Sequence, residues 1–471
     1  MLDGLEVVEL KLSELLEDNK SFRFDSEYFK KEYLSLQKQI YNYPYKKFGY
    51  FSKMTSKKYE RMTFQKDGVK YLTAENIQKG FVDISTIKYI SKEADEKNKK
   101  TSIKVGDILI SITGILGEVA IAEPWLLPAN INRDIAIITN HKKEEYLSEY
   151  IVLFLMSKIG NKFFERLGSG GIQKIITLER LRTLMIPVLS NKFQHKVSSF
   201  YSLSQKKRIK SKTLYKESEN LLLKALNLLD FEPTKENISI KSFSESFGES
   251  GRLDSEFYQV KYDDLEQLII QNSIKKTKII DEFEHIKTKF DKSKTGYNYI
   301  EIGNVNVFDG TNNSTYIITK NLSTNAKIKV KKGDLLISTT IPTRKAITII
   351  NGDDTDLVVS SEFTVLRKKP NSQVNTQVLQ VLLRTDIYKE FFLKYNVGTK
   401  YPIIKNEDVL NITIPIINNT IQRKIEEKIK ESFKLQEESK ELLELAKKSI
   451  EVAVEEGESV GMELMGDNSD D

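Results

Sequence analysis

Apolar residues Phe29, Tyr33, Leu36 and Ile40 recur in steps of four, three and four, the period of one helical face, and Asp25 stands where a cap is placed. The same steps return at Tyr258, Tyr262, Leu265 and Ile269, behind Asp254. After each helix the period changes to short β-branched runs broken by Gly, Asn and Asp. These are "VKYLTAENI", "ISTIKYI", "DILISITG" and "DIAIIT" in the first half, and "YNYIEIGNVNV", "STYIIT", "DLLISTT" and "EFTVLRK" in the second. Such runs predict the strands of a compact mixed or barrel-like sheet. A second amphipathic helix follows, "EYIVLFLMSKIGNKFFERL" or "QVLQVLLRTDIYKEFFLKY", and leads to a Gly-containing loop, an Ile-Pro step and a long charged helix.

The two halves are therefore one pattern written twice. "RFDSEYF" at 23 meets "RLDSEFY" at 252 at an offset of 229, and "VGDILIS" at 105 meets "KGDLLIS" at 332 at an offset of 227. "YLTAENI" meets "YIEIGNV", Gly170 meets Gly398, "MIPVL" meets "TIPII" and Gln194 meets Gln422, all at 228. So small a drift over so long a chain marks a tandem duplication. It also gives "RFDSEYF" a structural meaning: the carboxylates cap and start a helix, and Arg23 and Arg252 remain for a neighbouring acid or an outside partner.

The long helices carry Val197, Phe200, Leu203, Leu214, Leu221, Leu222, Leu226 and Leu229 in one case, and Ile425, Ile429, Leu435, Leu442, Leu445 and Ile450 in the other. Apolar along a seam and polar elsewhere, they are expected to pair as an antiparallel coiled coil. The resulting expectation is an α+β chain. Its parts are a first domain at 1–190, a long helix at 191–230, a second such domain at 231–418, a second long helix at 419–456, and an acidic, disordered tail at 457–471.

Composition narrows the chemistry. With 471 residues, 39% hydrophobic and 30% charged, the chain is long enough for two or three domains. It has no cysteine, hence no disulfide or thiolate metal site, and no secretory or membrane-length apolar segment, which together lead us to expect a cytoplasmic protein. Net charge is +6, but the tail holds five acidic and no basic residues, so residues 1–456 carry +11 by difference. A basic body fits a nucleic-acid partner, and equally a Lys-rich solvated surface. His141, His195 and His285 form no ligand pair, there is no P-loop, and "GSGGIQK" follows a helix where a dinucleotide fingerprint would follow a strand. "NYPY" at 42 has Tyr43 where an adenine methyltransferase motif has proline, and "DEFEHIK" at 281 is expected to lack the strand framing of a nuclease site. No catalytic residue and no metal site is assigned.

What remains is binding. Lys and Arg suit phosphate and guanine, Asn and Gln suit adenine, and Gly lets backbone come close. On that logic the candidates are Lys57, Lys58, Tyr59 and Arg61, with Lys287, Lys289, Lys292 and Lys294 in the second half. Next come Gly170, Gly171, Gln173 and Lys174 with Gly398, Thr399, Lys400 and Tyr401, then Arg344 and Lys345.

"GDILIS" and "GDLLIS", "GGIQKIITLERLRTLMIPVL" and "GTKYPIIKNEDVLNITIPII", each followed by Gln-x-x-Ile/Val and a long helix, make the sequence resemble the DNA-specificity (S) subunits of Type I restriction-modification systems. "PVLSNKFQ" and "PIINNTIQ" stand in place of that family's usual Pro-rich "PLPPLxEQ" run. The resemblance implies two target-recognition domains, each reading half of a bipartite site in double-stranded DNA, with the long helices setting the gap. It implies two methyltransferase subunits and restriction/translocase subunits as partners. S-adenosylmethionine, ATP and Mg would then be bound by those partners, and no cofactor by this chain. Two other readings are a recognition subunit of a Type IIB-like system with a fused nuclease-methyltransferase partner, and a non-DNA coiled-coil adaptor.

Overall fold

A computed structural model describes residues 7–16, 23–171, 173–232, 234, 236, 238–307, 309–352, 355–396 and 402–466. The chain divides into two compact units, Met1–Arg208 with Glu437–Asp471, and Ile209–Gln436. The cuts at 208 and 436 are 228 residues apart, the offset of the sequence repeat.

In the first unit a four-stranded antiparallel sheet has the order Ser52–Ser56, Ile135–Asn140, Ile108–Ser111, Val119–Ile121. A second sheet sets Val69–Leu72 between antiparallel Lys88–Ile90 and parallel Ala129–Ile131. Tyr45–Lys47 pairs with Met185–Pro187, so the Ile-Pro step lies in a strand. The second unit repeats this order with Phe283–His285, Phe363–Lys368, Leu335–Ser338 and Ile347–Ile349, and pairs Lys275–Lys278 with Thr413–Ile416. Its other sheet runs Thr315–Ile318, Gly296–Ile300, Leu357–Ser360, Ala326–Lys329, again with one parallel pair. Each strand-predicting run contains a strand. Strand Phe283–His285 corrects the expectation that "DEFEHIK" has no strand framing.

The duplicated motifs are polar ties on backbone. In "GDILIS" and "GDLLIS", Gly106 and Gly333 adopt φ of 82° and 89°, conformations an L side chain resists. The buried Asp107 and Asp334 then accept the N–H of Lys104 and Lys331, at 2.8 and 2.9 Å. Gln194 accepts the N–H of Leu147 at 3.0 Å and donates to the carbonyls of Glu145 and Leu189, both at 3.0 Å. Gln422 does the same with Asn375, Gln373 and Ile417 at 2.8, 2.9 and 3.0 Å. Arg23 and Arg252 form two-pronged ion pairs with Asp25 and Asp254, and Arg23 also donates to the carbonyls of Arg166 and Gly168.

Four expectations about helices change. The first helix starts only at Lys31 and runs to Tyr41; Asp25 caps a separate 3-10 turn, Ser26–Phe29, through the Tyr28 N–H at 3.2 Å. The second amphipathic segment is two helices, Ser148–Met156 and Lys158–Leu167, because Ser157 is extended and caps the second through the Gly160 N–H. Thr385 breaks Thr376–Arg384 from Asp386–Lys394 in the same way.

The long helices, Asn191–Ala225 and Asn419–Glu456, pair antiparallel, but serines sit in the seam. In the first unit Ser204 and Ser439 exchange hydroxyl-to-carbonyl bonds at 2.9 and 2.9 Å, and Lys207 pairs with Glu438 at 2.7 Å. In the second, Ser211 and Ser432 do so at 2.7 and 2.8 Å. Small side chains let the backbones meet, so Leu203, expected in the seam, is exposed, while Leu229, also expected there, is exposed in a turn beyond the end of the helix at Ala225. Finally, 457–471 is not an open tail through its described part. Helix Glu458–Leu464 leads to Met465, only 1% exposed, and Glu458 accepts from the N–H and hydroxyl of Ser190 at 2.9 and 2.5 Å.

Candidate nucleic-acid interface

The strands fix where the variable loops emerge. "KKYERMTFQKDG" lies between Ser52–Ser56 and Val69–Leu72, and "IKTKFDKSKT" between Phe283–His285 and Gly296–Ile300. Two segments without shared sequence thus occupy one position in the repeated fold.

In the first loop Glu60 organises the cations. Hydrogen bonding from Lys97 at 2.9 Å, joined by Asn98 and Lys57, holds its carboxyl at about 2. Lys57 is 8% exposed, lies 3.4 Å from Glu60 and sits over the Tyr71 ring at 5.2 Å. It shapes the loop from inside, contrary to its expected place on the surface. Lys58, Tyr59 and Arg61 are exposed, Tyr59 by 74%. The Arg133 guanidinium stacks over the Tyr59 ring at 5.1 Å, and Lys88 lies over the Phe64 ring at 4.9 Å. Sequence reasoning did not single out Arg133, Phe64 or Lys88. The available signal was "NRD", a turn between predicted strands carrying a cation.

A second loop pair adjoins in the same unit. The hairpin after Ile108–Ser111 receives residues 169–175 as a partner: Gly114 donates to the Lys174 carbonyl at 3.1 Å and Ile176 to Ile112 at 2.9 Å. Gly170, at φ 121°, admits no side chain, since a Cβ would fall 2.4 Å from the Gln173 carbonyl. Gly171, Gln173 and Lys174 are exposed, as is Ile115 on the facing hairpin.

In the second unit Lys287, Lys289, Lys292 and Lys294 are all exposed on the first loop, and Lys294 is paired with Asp356. The hairpin at 339–346 takes the partner role, with Ile341 donating to the Pro402 carbonyl at 2.8 Å and Ile404 to Thr339 at 2.9 Å. Arg344 is exposed; Lys345 pairs with Asp386 at 2.7 Å. Ile341 and Lys345 hold φ of 45° and 60°, strained for residues with a Cβ. Gly398, Thr399, Lys400 and Tyr401 lie outside the described residues.

Exposed cations, aromatic faces and close-approach glycines can contact phosphate and base edges. Among the described residues no cluster of three or more His, Asp or Glu could hold a metal ion, and no helix is long and apolar enough to cross a membrane.

Residues 50–217 match the family described as the Type I restriction modification DNA specificity domain. The Type I restriction enzyme EcoBI specificity subunit of Escherichia coli is 26% identical over 132 residues, 28% of this chain. The match spans 27% of that relative's length. The crystal structure of the Type-I restriction-modification system S subunit from M. genitalium aligns with a TM-score of 0.40 at 13% identity, over 90% of this chain and 95% of that one. That of the HsdS subunit from Thermoanaerobacter tengcongensis aligns at 0.28 and 13%, over 88% and 97%.

Proposed function

We propose that this chain, whose residues 50–217 match the Type I restriction modification DNA specificity domain, is a non-catalytic specificity subunit that reads a bipartite, asymmetric site in double-stranded DNA. One observation carries the reading. The same strand order is built twice, with unlike loops at 57–68 and 286–295 on matching strands. A duplicated frame with divergent loops gives two readers of different sequence.

In the first unit Lys58, Tyr59 and Arg61, backed by Arg133, are assigned to the DNA, with Gly170, Gly171, Gln173 and Lys174 beside them. In the second, Lys287, Lys289, Lys292, Lys294 and Arg344 take that role, together with Gly398, Thr399, Lys400 and Tyr401. Phosphate contacts supply most of the affinity and its salt dependence; base contacts discriminate. Methylation is assigned to two docked methyltransferase subunits using S-adenosylmethionine, and ATP- and Mg-dependent cleavage to restriction/translocase subunits, in a prokaryotic cytoplasm. Extruding the target adenine is then the partner's task.

The test is a map of methylated adenines in cells with and without this gene. A bipartite motif that vanishes on deletion is expected. Methylation by the purified chain alone, or an unchanged methylome, would overturn the reading.

A further inference from the structure

The edge strand that feeds the first recognition loop has a charged surface at its other end. The short helix Phe48–Phe51 precedes it, and Tyr50 on that helix is 53% exposed. Lys142 donates to the Tyr50 hydroxyl at 2.7 Å and lies 4.0 Å from the ring centre, while Lys46 lies 5.0 Å from it. Lys53, exposed, opposes Thr139 on the neighbouring strand. Glu145, 3.3 Å from Lys142, and the exposed Glu144 are the nearby acids in the sequence.

The second unit does not repeat this grouping, although Lys275, Lys276 and Lys278 are exposed on its matching strand. Matching strand pairs place Thr277, Asp281, Glu284 and Pro370 where the first unit has Lys46, Tyr50, Lys53 and Lys142. Three cations and an aromatic thus face two carboxylates and two neutral residues in the repeat. Buried packing does not require the difference, because Lys46, Tyr50, Lys53, Asp281 and Glu284 are all exposed.

We infer that Lys46, Tyr50, Lys53 and Lys142 form an accessory phosphate-binding surface that holds DNA backbone outside the base pairs read by the first unit, a grouping of cations around one ring that the second unit does not repeat. This rests on the DNA-recognition reading above. Strand Ser52–Ser56 joins the surface to the loop at Lys58 and Arg61, a run of roughly 15 Å at the rise of extended chain, or about four phosphates of one strand along the DNA axis. The ammonium groups neutralise phosphates as point charges, and the ring keeps two of them together.

The test uses the complex reconstituted with its methyltransferase, comparing the wild type with a Lys46→Gln, Lys53→Gln, Lys142→Gln variant by hydroxyl-radical footprinting and by affinity at several salt concentrations. Protection should shorten on the first unit's side only. The slope of log affinity against log salt should fall by about 2 to 3, near 0.9 per phosphate lost, with the methylated motif unchanged. An unaltered footprint and slope would overturn the proposal. So would dissociation of the methyltransferase with an unaltered slope, which would make the surface a protein contact. Failure of the wild type to direct any bipartite methylation would instead remove the reading beneath it. Glu284→Lys with Asp281→Lys on the second unit should lengthen protection there and raise the slope, a gain that misfolding cannot imitate.

Discussion

Replacing Gln194 tests whether the repeated glutamine is a structural tie or a surface feature shared by descent. Its side chain is 1% exposed and satisfies three backbone groups, the Leu147 N–H and the Glu145 and Leu189 carbonyls. Each group left buried without a partner costs about 1–3 kcal/mol. Gln194→Ala should therefore lower the stability of the first unit by about 3–5 kcal/mol, after allowing for water entering the space. For a unit of this size that is roughly 10 °C in Tm. Gln194→Glu is more telling. The introduced carboxylate still accepts from Leu147 but faces two carbonyl oxygens with nothing to donate. Burial and those oxygens raise its folded pKa above the unfolded value, so the folded state binds the extra proton, and the defect should shrink as pH falls toward 5. Calorimetry on the intact chain reads both effects, and Gln422→Ala is the internal control, moving the second unit's transition. A loss under 1 kcal/mol for Gln194→Ala, or a Gln194→Glu defect independent of pH, would refute the reasoning.

Hydrogen bonding from Arg23 and Arg252 lowers the carboxyls of Asp25 and Asp254. The stability they add is present above the ordinary carboxylate pKa near 3.8 and is lost as pH falls through the lowered one. Asp25→Asn should cost a little at pH 7 and progressively less as pH falls below 3.8, read by urea titration, and a cost that does not change with pH would exclude the pair. Ser204→Ala with Ser439→Ala should cost about 1–2 kcal/mol through two lost hydroxyl bonds, whereas Ser204→Leu should cost about 3 kcal/mol or more by forcing the helices apart. Denaturation that ranks the two the other way would deny the close seam. Arg61→Ala should relax one half of the methylated motif, at about 1–3 kcal/mol if Arg61 reads a base. Lys57→Ala should instead show as a lower Tm with the motif kept. Methylome mapping beside thermal melts separates these outcomes.

Most of the frame was legible because a repeat constrains interpretation twice. A run that could be helix or strand in one copy must be the same element in the other, so all eight strand-predicting runs hold strands. Breaks were less legible. Ser157 and Thr385 interrupt strong helical patterns with one extended residue each, and apolar periodicity is blind to a hydroxyl that caps the next N–H. The seam was misread for a related reason. Ser204, Ser211 and Ser218 follow Val197 at steps of seven, as Ser432 and Ser439 follow Ile425, but counting only large apolar residues selected Leu203, which is exposed. A heptad of small residues predicts close backbones just as one of leucines predicts wide ones. At the candidate interface, residue type found the right loops and could not rank cations within them. Lys57 and Lys58 are adjacent and both basic, yet only Glu60 and Tyr71, supplied by the fold, turn one inward.

The distribution of shared residues explains how such a chain changes what it binds. Gln194, Asp107, Asn76 and their partners at 228 or 227 residues' distance all satisfy backbone groups; Asn76 and Asn304, for example, accept the N–H of Thr73 and Glu301 at 2.8 and 2.9 Å. At the buried ones, Gln194, Gln422, Asp107, Asp334 and Asn76, a loss leaves polar groups unpaired inside. The first recognition loop is held mainly by its own members and close neighbours: Glu60 with Lys57 and Lys97, and Tyr59 with Arg133. The corresponding loop of the second unit is tied by Asp291 to Ser293 and by Lys294 to Asp356. Each loop is also stitched to a sheet through backbone, Gln65 N–H to the Tyr89 carbonyl at 3.0 Å and Lys329 N–H to the Thr288 carbonyl at 2.8 Å; because such bonds do not depend on side-chain identity, a new loop sequence alters the charges and ring faces presented to solvent at little cost to the frame. The same independence lets the two units diverge in the charge of their flanks, so the asymmetry between Lys53 and Glu284 requires no change in the strands that carry them.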